Sequence, residues 1–260
     1  MATRKTADAD VISVPETSIM RFEIAVVGET PFIANRMSAK AKGQILFPSG
    51  RKNAAERAST LKHDPIAEFR DSPYMLDTDD SPTLLAVMAS SFKGVMRTAA
   101  LDLPGATKSQ IGRLVWVEGL YLPIYGEPKL FMSVTRSSDV GRTPDIRTRA
   151  ILPRWACRVT VNFVTPLLKQ QTVTSLLHTG GKTVGVGDWR PEKGSGTFGQ
   201  FRLANIDDPE FLEIIESGGR DVQQAAMDRA EPYDAESAEL LTWFTGELKR
   251  RGIKSIGEAA

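Results

Sequence analysis

Between residues 154 and 163 the side chains fall into two classes by turns. Trp155, Cys157, Val159, Val161 and Phe163 alternate with Arg154, Arg158, Thr160 and Asn162. A period of two dictates an extended strand, because successive side chains then point to opposite faces. A strand of this kind needs neighbours on its edges and a layer over its apolar face.

The rest of the pattern supplies both. Met20 to Gly28 reads as a strand, with Phe22, Ile24 and Val26 against Arg21, Glu23 and Ala25. Val115 to Tyr125 and Pro128 to Thr135 read as strands separated by a turn at Gly126, and Phe198 to Leu203 reads as the last strand. Ser90 or Ser91 is expected to cap a helix to Leu101, ended by Pro104-Gly105. A second helix over 168–179 is expected to close at Gly180-Gly181. Ser38 is placed to cap a helix over Ala39 to Leu46, and Asp64-Pro65 to open a short one to Arg70. Pro209 to Glu216 and Ala235 to Arg250 are helical, the latter with Leu241, Phe244 and Leu248 on one face.

Strand, insertion, helix, strands, strand, helix and strand make an α+β chain of the split β-α-β-β-α-β type, a modified ferredoxin-like domain. The expected division is a disordered 1–19, a domain over 20–204 with an insertion at about 30–88, and an acidic helical tail over 205–260.

Composition narrows the chemistry. Of 260 residues 41% are hydrophobic, enough for an ordinary core. No stretch nears the roughly 18 apolar residues that span a bilayer. The N-terminus lacks the apolar region of a signal peptide. A lone Cys157 excludes an internal disulfide and fits a reducing cytoplasm. Two histidines and one cysteine cannot make an ordinary zinc site, and neither a cofactor nor a metal is expected; a carboxylate site for magnesium stays open. The net charge of +1 hides an asymmetry. Residues 206–260 carry thirteen acids and six bases, a net −7, and residues 1–205 twenty-seven bases and nineteen acids, a net +8. A basic body points to a polyanion, unless the split is only that of a solvated tail.

The segment Gly185-Val186-Gly187-Asp188-Trp189-Arg190-Pro191-Glu192-Lys193-Gly194-Ser195-Gly196-Thr197-Phe198-Gly199 holds five glycines within fifteen residues, after an expected helix and leading into the last strand. Glycines let a ligand's backbone approach closely, Arg190 and Lys193 add charge, and Trp189 offers a stacking face. The alternative is a long connection whose glycines serve turns. Gly194 to Gly199 matches the dinucleotide pattern G-x-G-x-x-G, but a strand follows it where that fingerprint needs a helix. Gly181-Lys182-Thr183 resembles a P-loop end, but Leu176 stands where the first glycine belongs.

Arg136, Arg142, Arg147, Arg149, Arg154 and Arg158 cluster within 136–158, with 136–150 read as a loop. Arginine grips phosphate and stacks on bases, so this is either a clamp on a strand or a solvated loop. Lys93 and Arg97 share a helical face. His63 and His178 have no serine, cysteine or carboxylate partner evident from spacing and are expected to be structural.

Taken together, the helix Ser90-Ser91-Phe92-Lys93-Gly94-Val95-Met96-Arg97 and the loop from Gly185 to Gly199 resemble the RAMP superfamily of CRISPR systems, especially the backbone subunits that coat guide RNA. The stretches GETPFIANR, GEPKLF and GVGDWRPEKGSGTFGQF also resemble proteins of tailed phages. The resemblance spans roughly 20–204. It implies a ferredoxin-like (RRM-type) fold, RNA or single-stranded DNA along a basic groove, and side-by-side assembly as a homo-oligomer or filament. The expected nucleic-acid contacts are Lys93, Arg97, Arg142, Arg147, Arg149, Lys182, Gly185, Gly187, Trp189, Arg190, Lys193, Gly194 and Gly196. No catalytic residue and no membrane contact are expected. The alternatives are a metal-independent endoribonuclease of the same fold and a phage assembly protein whose basic loops meet another protein.

Overall fold

The computed structural model describes residues 15–47, 61–76, 78–136, 144–193 and 196–253. In chain order the elements are β1 (Ser18–Gly28), β2 (Phe32–Ile33), α1 (Ala39–Leu46), α2 (Pro65–Asp71), β3 (Tyr74–Met75), β4 (Leu85–Met88), α3 (Ala89–Ala99), α4 (Lys108–Leu114), β5 (Val115–Val117), β6 (Tyr121–Tyr125), β7 (Lys129–Arg136), β8 (Pro144–Leu152), β9 (Ala156–Thr165), α5 (Gln170–Thr183), β10 (Phe201–Ala204), α6 (Pro209–Ser217), α7 (Arg220–Arg229) and α8 (Ala235–Arg251).

The alternating segment forms β9, the centre of the larger sheet. That sheet runs β10-β1-β9-β6-β4-β3, with β5 also paired to β9. All of these pairings are antiparallel. Taking β1, α3, β5, β9, α5 and β10 alone, the spatial order β10-β1-β9-β5 is that of the split β-α-β-β-α-β motif. The chain is therefore α+β and of ferredoxin-like type. A second sheet, β2-β8-β7, stands beside it.

Val159, Val161 and Phe163 are buried under α3 and α5. The opposite face is not open. Phe211 and Ile214 of α6 cover Ala25, Val27 and Ala156, which explains why even Ala156 is buried. Arg158 lies on this face with its guanidinium 5.6 Å from the Phe211 ring centroid, and Arg154 binds Glu213 with two hydrogen bonds of 2.8 and 2.9 Å.

The helices after residue 205 pack onto these sheets. Gln223 of α7 is fully buried. Its Oε1 accepts from the Leu84 and Leu85 N–H groups, both at 2.9 Å, and its Nε2 donates to the Ile124 and Gly126 carbonyls at 2.8 and 3.1 Å. All of its hydrogen-bonding capacity is used, as burial of an amide requires. On β7, the Ser237 hydroxyl of α8 accepts from Met132 N at 3.0 Å.

Several boundaries differ from the sequence reading. α3 starts at Ala89 with Met88 as its N-cap and no side-chain cap, so Ser90 and Ser91 lie in its first turn. Residues 144–152 are not a loop: they form β8, because β7 supplies a full antiparallel ladder from Lys129↔Ile151 to Arg136↔Pro144. The expected strand over Val115 to Tyr125 is two strands that reach β9 at different ends. The last strand begins at Phe201, not Phe198. Helix α5 continues through Gly180-Gly181 to Thr183. Those two glycines serve close packing instead of termination: a Cβ on Gly180 would stand 2.4 Å from Val95 Cγ1 and 3.0 Å from the Val95 carbonyl. Asp64 and Ser38 cap α2 and α1 as read from the sequence.

Gly180 and Gly246 set up a contrast. A methyl at Gly180 collides with α3, whereas Gly246 of α8 has nothing within 4 Å of its Cβ position. Gly180→Ala is expected to cost about 1–3 kcal/mol through overpacking. Gly246→Ala is expected to gain about 0.5–1 kcal/mol through the unfolded state. Urea denaturation of both variants checks the opposite signs.

Candidate nucleic-acid interface

The glycine-rich loop is laid against β2. Asp188 N donates to the Ile33 carbonyl at 2.9 Å, Gly199 N to the Pro31 carbonyl at 2.8 Å, and Val186 N to the Gly199 carbonyl at 2.9 Å. This contact is why Gly187 must be glycine: its φ is +86°, and a Cβ would meet the Ile33 carbonyl at 2.5 Å. A non-glycine residue, Trp189, takes a left-handed φ of 51°. Its conformation is held by Asp188 Oδ1, which accepts from Trp189 N at 3.1 Å, and by Phe198 N, which donates to its carbonyl at 3.2 Å.

Two surfaces meet at this loop. On one side is a cleft of about 340 Å³ between the loop and α3. Ser90, Ser91, Arg97, Lys108, Gly185, Gly187 and Arg190 all line it. Arg97 and Lys108 are exposed and carry no ion pair among the described residues. Arg190 is different. Its guanidinium holds Glu192 Oε2 at 3.1 and 2.8 Å and the Gly187 carbonyl at 2.9 Å, so it braces the loop. Burial pushes the Glu192 carboxyl up, but the hydrogen bond and charge of Arg190, with Thr98 and Lys193, together hold it below its usual range.

On the other side is the outer face of the β7–β8 pair. Arg149 stands opposite Phe131, Arg147 opposite Ser133 and Asp145 opposite Thr135. Trp189 leans over this face at 38% exposure. Its ring stacks on Phe198 at 6.0 Å and 18° and meets Phe131 edge-on at 6.1 Å. Arg149 Nε is buried, lacks a hydrogen-bond partner, and lies 3.8 Å from Asp188 Oδ2.

Of the sequence-predicted residues, the loop thus unites Arg97, Gly185, Gly187 and Arg190 in the cleft, and Arg147, Arg149 and Trp189 on the sheet face. Lys93 is half-buried on α3, Lys182 and Lys193 are exposed, and none of the three lines either surface. Gly196 is packed against the Trp189 carbonyl, where a Cβ would stand 1.8 Å away. Arg142 and Gly194 lie outside the described residues. Phe131 and Lys108 were missed. The register of β7 identifies the first only once β8 is known to be a strand, and no sequence signal identifies the second.

Next to Arg147 and Arg149 lies a further hollow of about 460 Å³, with His63 in its wall. Contrary to the sequence reading, His63 has two carboxylate partners: Nδ1 is 2.7 Å from Glu68 Oε1 and Nε2 is 2.9 Å from Asp145 Oδ1. Lys62 Nζ also reaches Asp145 Oδ1 at 2.7 Å. The Glu68 hydrogen bond, opposed by burial and helped by Asp145, raises the imidazole pKa above its ordinary value. Both ring nitrogens are engaged. His178 is exposed on α5, and burial pushes the Cys157 thiol far above its usual range.

Among the described residues no group of three or more histidine, cysteine or acidic side chains is placed to hold a metal, and no helix is long and apolar enough to cross a membrane. No protein-family model matches the chain, and neither does any curated protein sequence.

The His63 clasp has a pH signature. Its pKa is higher folded than unfolded, so its contribution is fully present below about pH 6.5 and is lost as pH rises through the raised folded value. Wild-type urea midpoints are expected to fall across that rise, and His63→Gln to flatten the curve there and to be less stable on the acid side. Denaturation series from mildly acidic to mildly alkaline pH measure both.

Proposed function

We propose that this chain binds single-stranded nucleic acid, RNA or single-stranded DNA, across the glycine-rich loop, with the phosphates tracking the basic groups and the bases meeting Trp189. The observation that carries the reading is the half-exposed Trp189 set between Arg147 and Arg149 on one side of the loop and the Arg97–Lys108 cleft on the other. Arginine and an aromatic face together are what a single strand uses, and such contacts tolerate sequence because every base has a π-face. The RAMP-like resemblance belongs to the same proposal, as do assembly along a strand, action in the cytoplasm and the lack of catalysis.

Fluorescence anisotropy with unstructured RNA and DNA oligonucleotides across a salt series tests it. Affinity is expected to fall linearly on a log–log plot, by about 0.7 per phosphate contacted. Arg97→Ala with Arg147→Ala is expected to reduce that slope by roughly 1.4 while leaving the fold intact. Trp189→Ala is expected to lose about 1–3 kcal/mol of binding, and Trp189→Phe less. Arg190→Ala is expected to lower the melting temperature as well, since Arg190 braces the loop. Absent or salt-independent binding overturns the proposal, and cleavage of the labelled RNA favours the endoribonuclease of the same fold.

A further inference from the structure

Strand β1 is paired along one edge but only partly along the other. Ser18 to Val27 run against β9, whereas only Ala25 to Gly28 face β10. After Ala204 the chain turns away, and Asp208 caps α6. Ser18 to Ile24 therefore have an edge with no neighbouring strand among the described residues. Two hydrogen bonds fix which groups face it. Gly28 N donates to Trp155 O on the β9 side at 2.8 Å, and Glu29 N to Gln200 O on the β10 side at 2.9 Å. In an antiparallel ladder these directions alternate. Even-numbered residues of β1 thus bond toward β9, and Ile19, Arg21 and Glu23 turn their N–H and C=O groups to the open edge. Such an edge is a template for another strand, and Ile19 and Met20, 65% and 45% exposed, do nothing to protect it.

A hollow of about 660 Å³ lies along the same edge, bordered by Phe22, Ile24, Thr174, Ile206 and Leu212.

We propose that a second copy of this chain pairs antiparallel with β1 about a two-fold axis, Phe22 facing Phe22 of the second copy. The sequence of the edge is self-complementary in that register. Odd residues oppose odd residues, so outward-facing N–H and C=O groups meet. Arg21 stands opposite Glu23 of the second copy, and Glu23 opposite its Arg21. Met20 stands opposite Ile24 on the other face. The pairing stops at Ile24 because β10 begins at Ala25, and Ile19 of the second copy then comes to the end of β10, beside Ile206 and Leu212. Shifting the register by two residues places Arg21 against Arg21 or Glu23 against Glu23, and like charges directly opposite destabilise a ladder. Within one copy Arg21 pairs with Glu118 at 3.0 Å, but both side chains are more than half exposed and that bond is weak. An isologous interface of this kind closes on itself as a dimer.

Sedimentation velocity on the full chain over a concentration series tests the interface, with circular dichroism melting to check folding. Wild type is expected to be a dimer that dissociates on dilution. R21E and E23R are each expected to weaken self-association roughly tenfold or more by setting like charges face to face. The double variant R21E/E23R restores opposite charges and is expected to recover the dimer. A wild type that stays monomeric at high micromolar concentration overturns the proposal. So does a dimer indifferent to the single reversals, or a double variant that fails to recover.

Discussion

The indole of Trp155 joins the two sheets, and the candidate interface depends on that joint. Its Nε1 donates to the Thr30 carbonyl at 2.8 Å, and its ring contacts Phe32 of β2 at 5.6 Å and Phe201 of β10 at 6.2 Å. Gly28 lies against the ring so closely that a Cβ would stand 2.2 Å from Nε1. One buried side chain thus sets the path of residues 28–33 out of β1. That path supplies the Pro31 and Ile33 carbonyls on which the glycine-rich loop rests. The loop has little regular structure of its own, yet it is held at fixed height over β2. A loop can present a left-handed tryptophan only when its surroundings over-determine the conformation. Here they do, through two sheets that meet at Trp155.

The charge asymmetry takes on a different meaning once the tail is seen on the sheet. Arg202 binds Asp208 at 3.0 and 3.1 Å and Glu210 at 2.7 Å, and Arg154 binds Glu213. The tail's acids thus neutralise part of the body's base on the face covered by α6. The Arg154–Glu213 pair is more than half exposed and worth about 0–1 kcal/mol, whereas Arg202 and Asp208 are part-buried; together they orient α6 on the sheet. Phe211 and Ile214 hold it. Among the described cations with no ion pair, Arg97 and Lys108 stand in the cleft and Arg147 on the β7–β8 face. Net charge counted along the sequence could not make that separation, because it depends on which face of the sheet each arginine occupies.

The same distinction governs what was legible in the sequence. β9, β1, the Ser38 and Asp64 caps and α8 were readable, since periodicity and capping act within a few residues. α7 was not, because its buried residues are Gln223, Ala226 and Met227, and a buried glutamine looks polar until its four backbone partners are known. β8 hid behind its arginines: Arg147 and Arg149 face outward, while Thr148 and Ala150 turn inward as small or polar side chains. Gly180-Gly181 read as a helix stop because glycine's need for space at Val95 and Phe201 leaves no mark on local sequence. His63 found Glu68 five residues away but Asp145 eighty-two away. Of the candidate site, the loop glycines and Trp189 were readable as a group, and the sheet face that gives Trp189 its context was not.

The split between bracing and available charges constrains how any polyanion could lie here. Arg190 spends its guanidinium on Glu192 and Gly187, and Arg149 of β8 is drawn toward Asp188, so these two cations mainly hold the loop. The available charges stand off it on both sides, with the Trp189 indole between them. A flexible single strand can bend over such a ridge and lay one base on the indole while its phosphates reach both flanks. A duplex is too stiff to follow the ridge and keeps its base faces stacked away from the ring. On the proposed reading, the geometry of the loop, more than the number of arginines near it, is what would select a single strand.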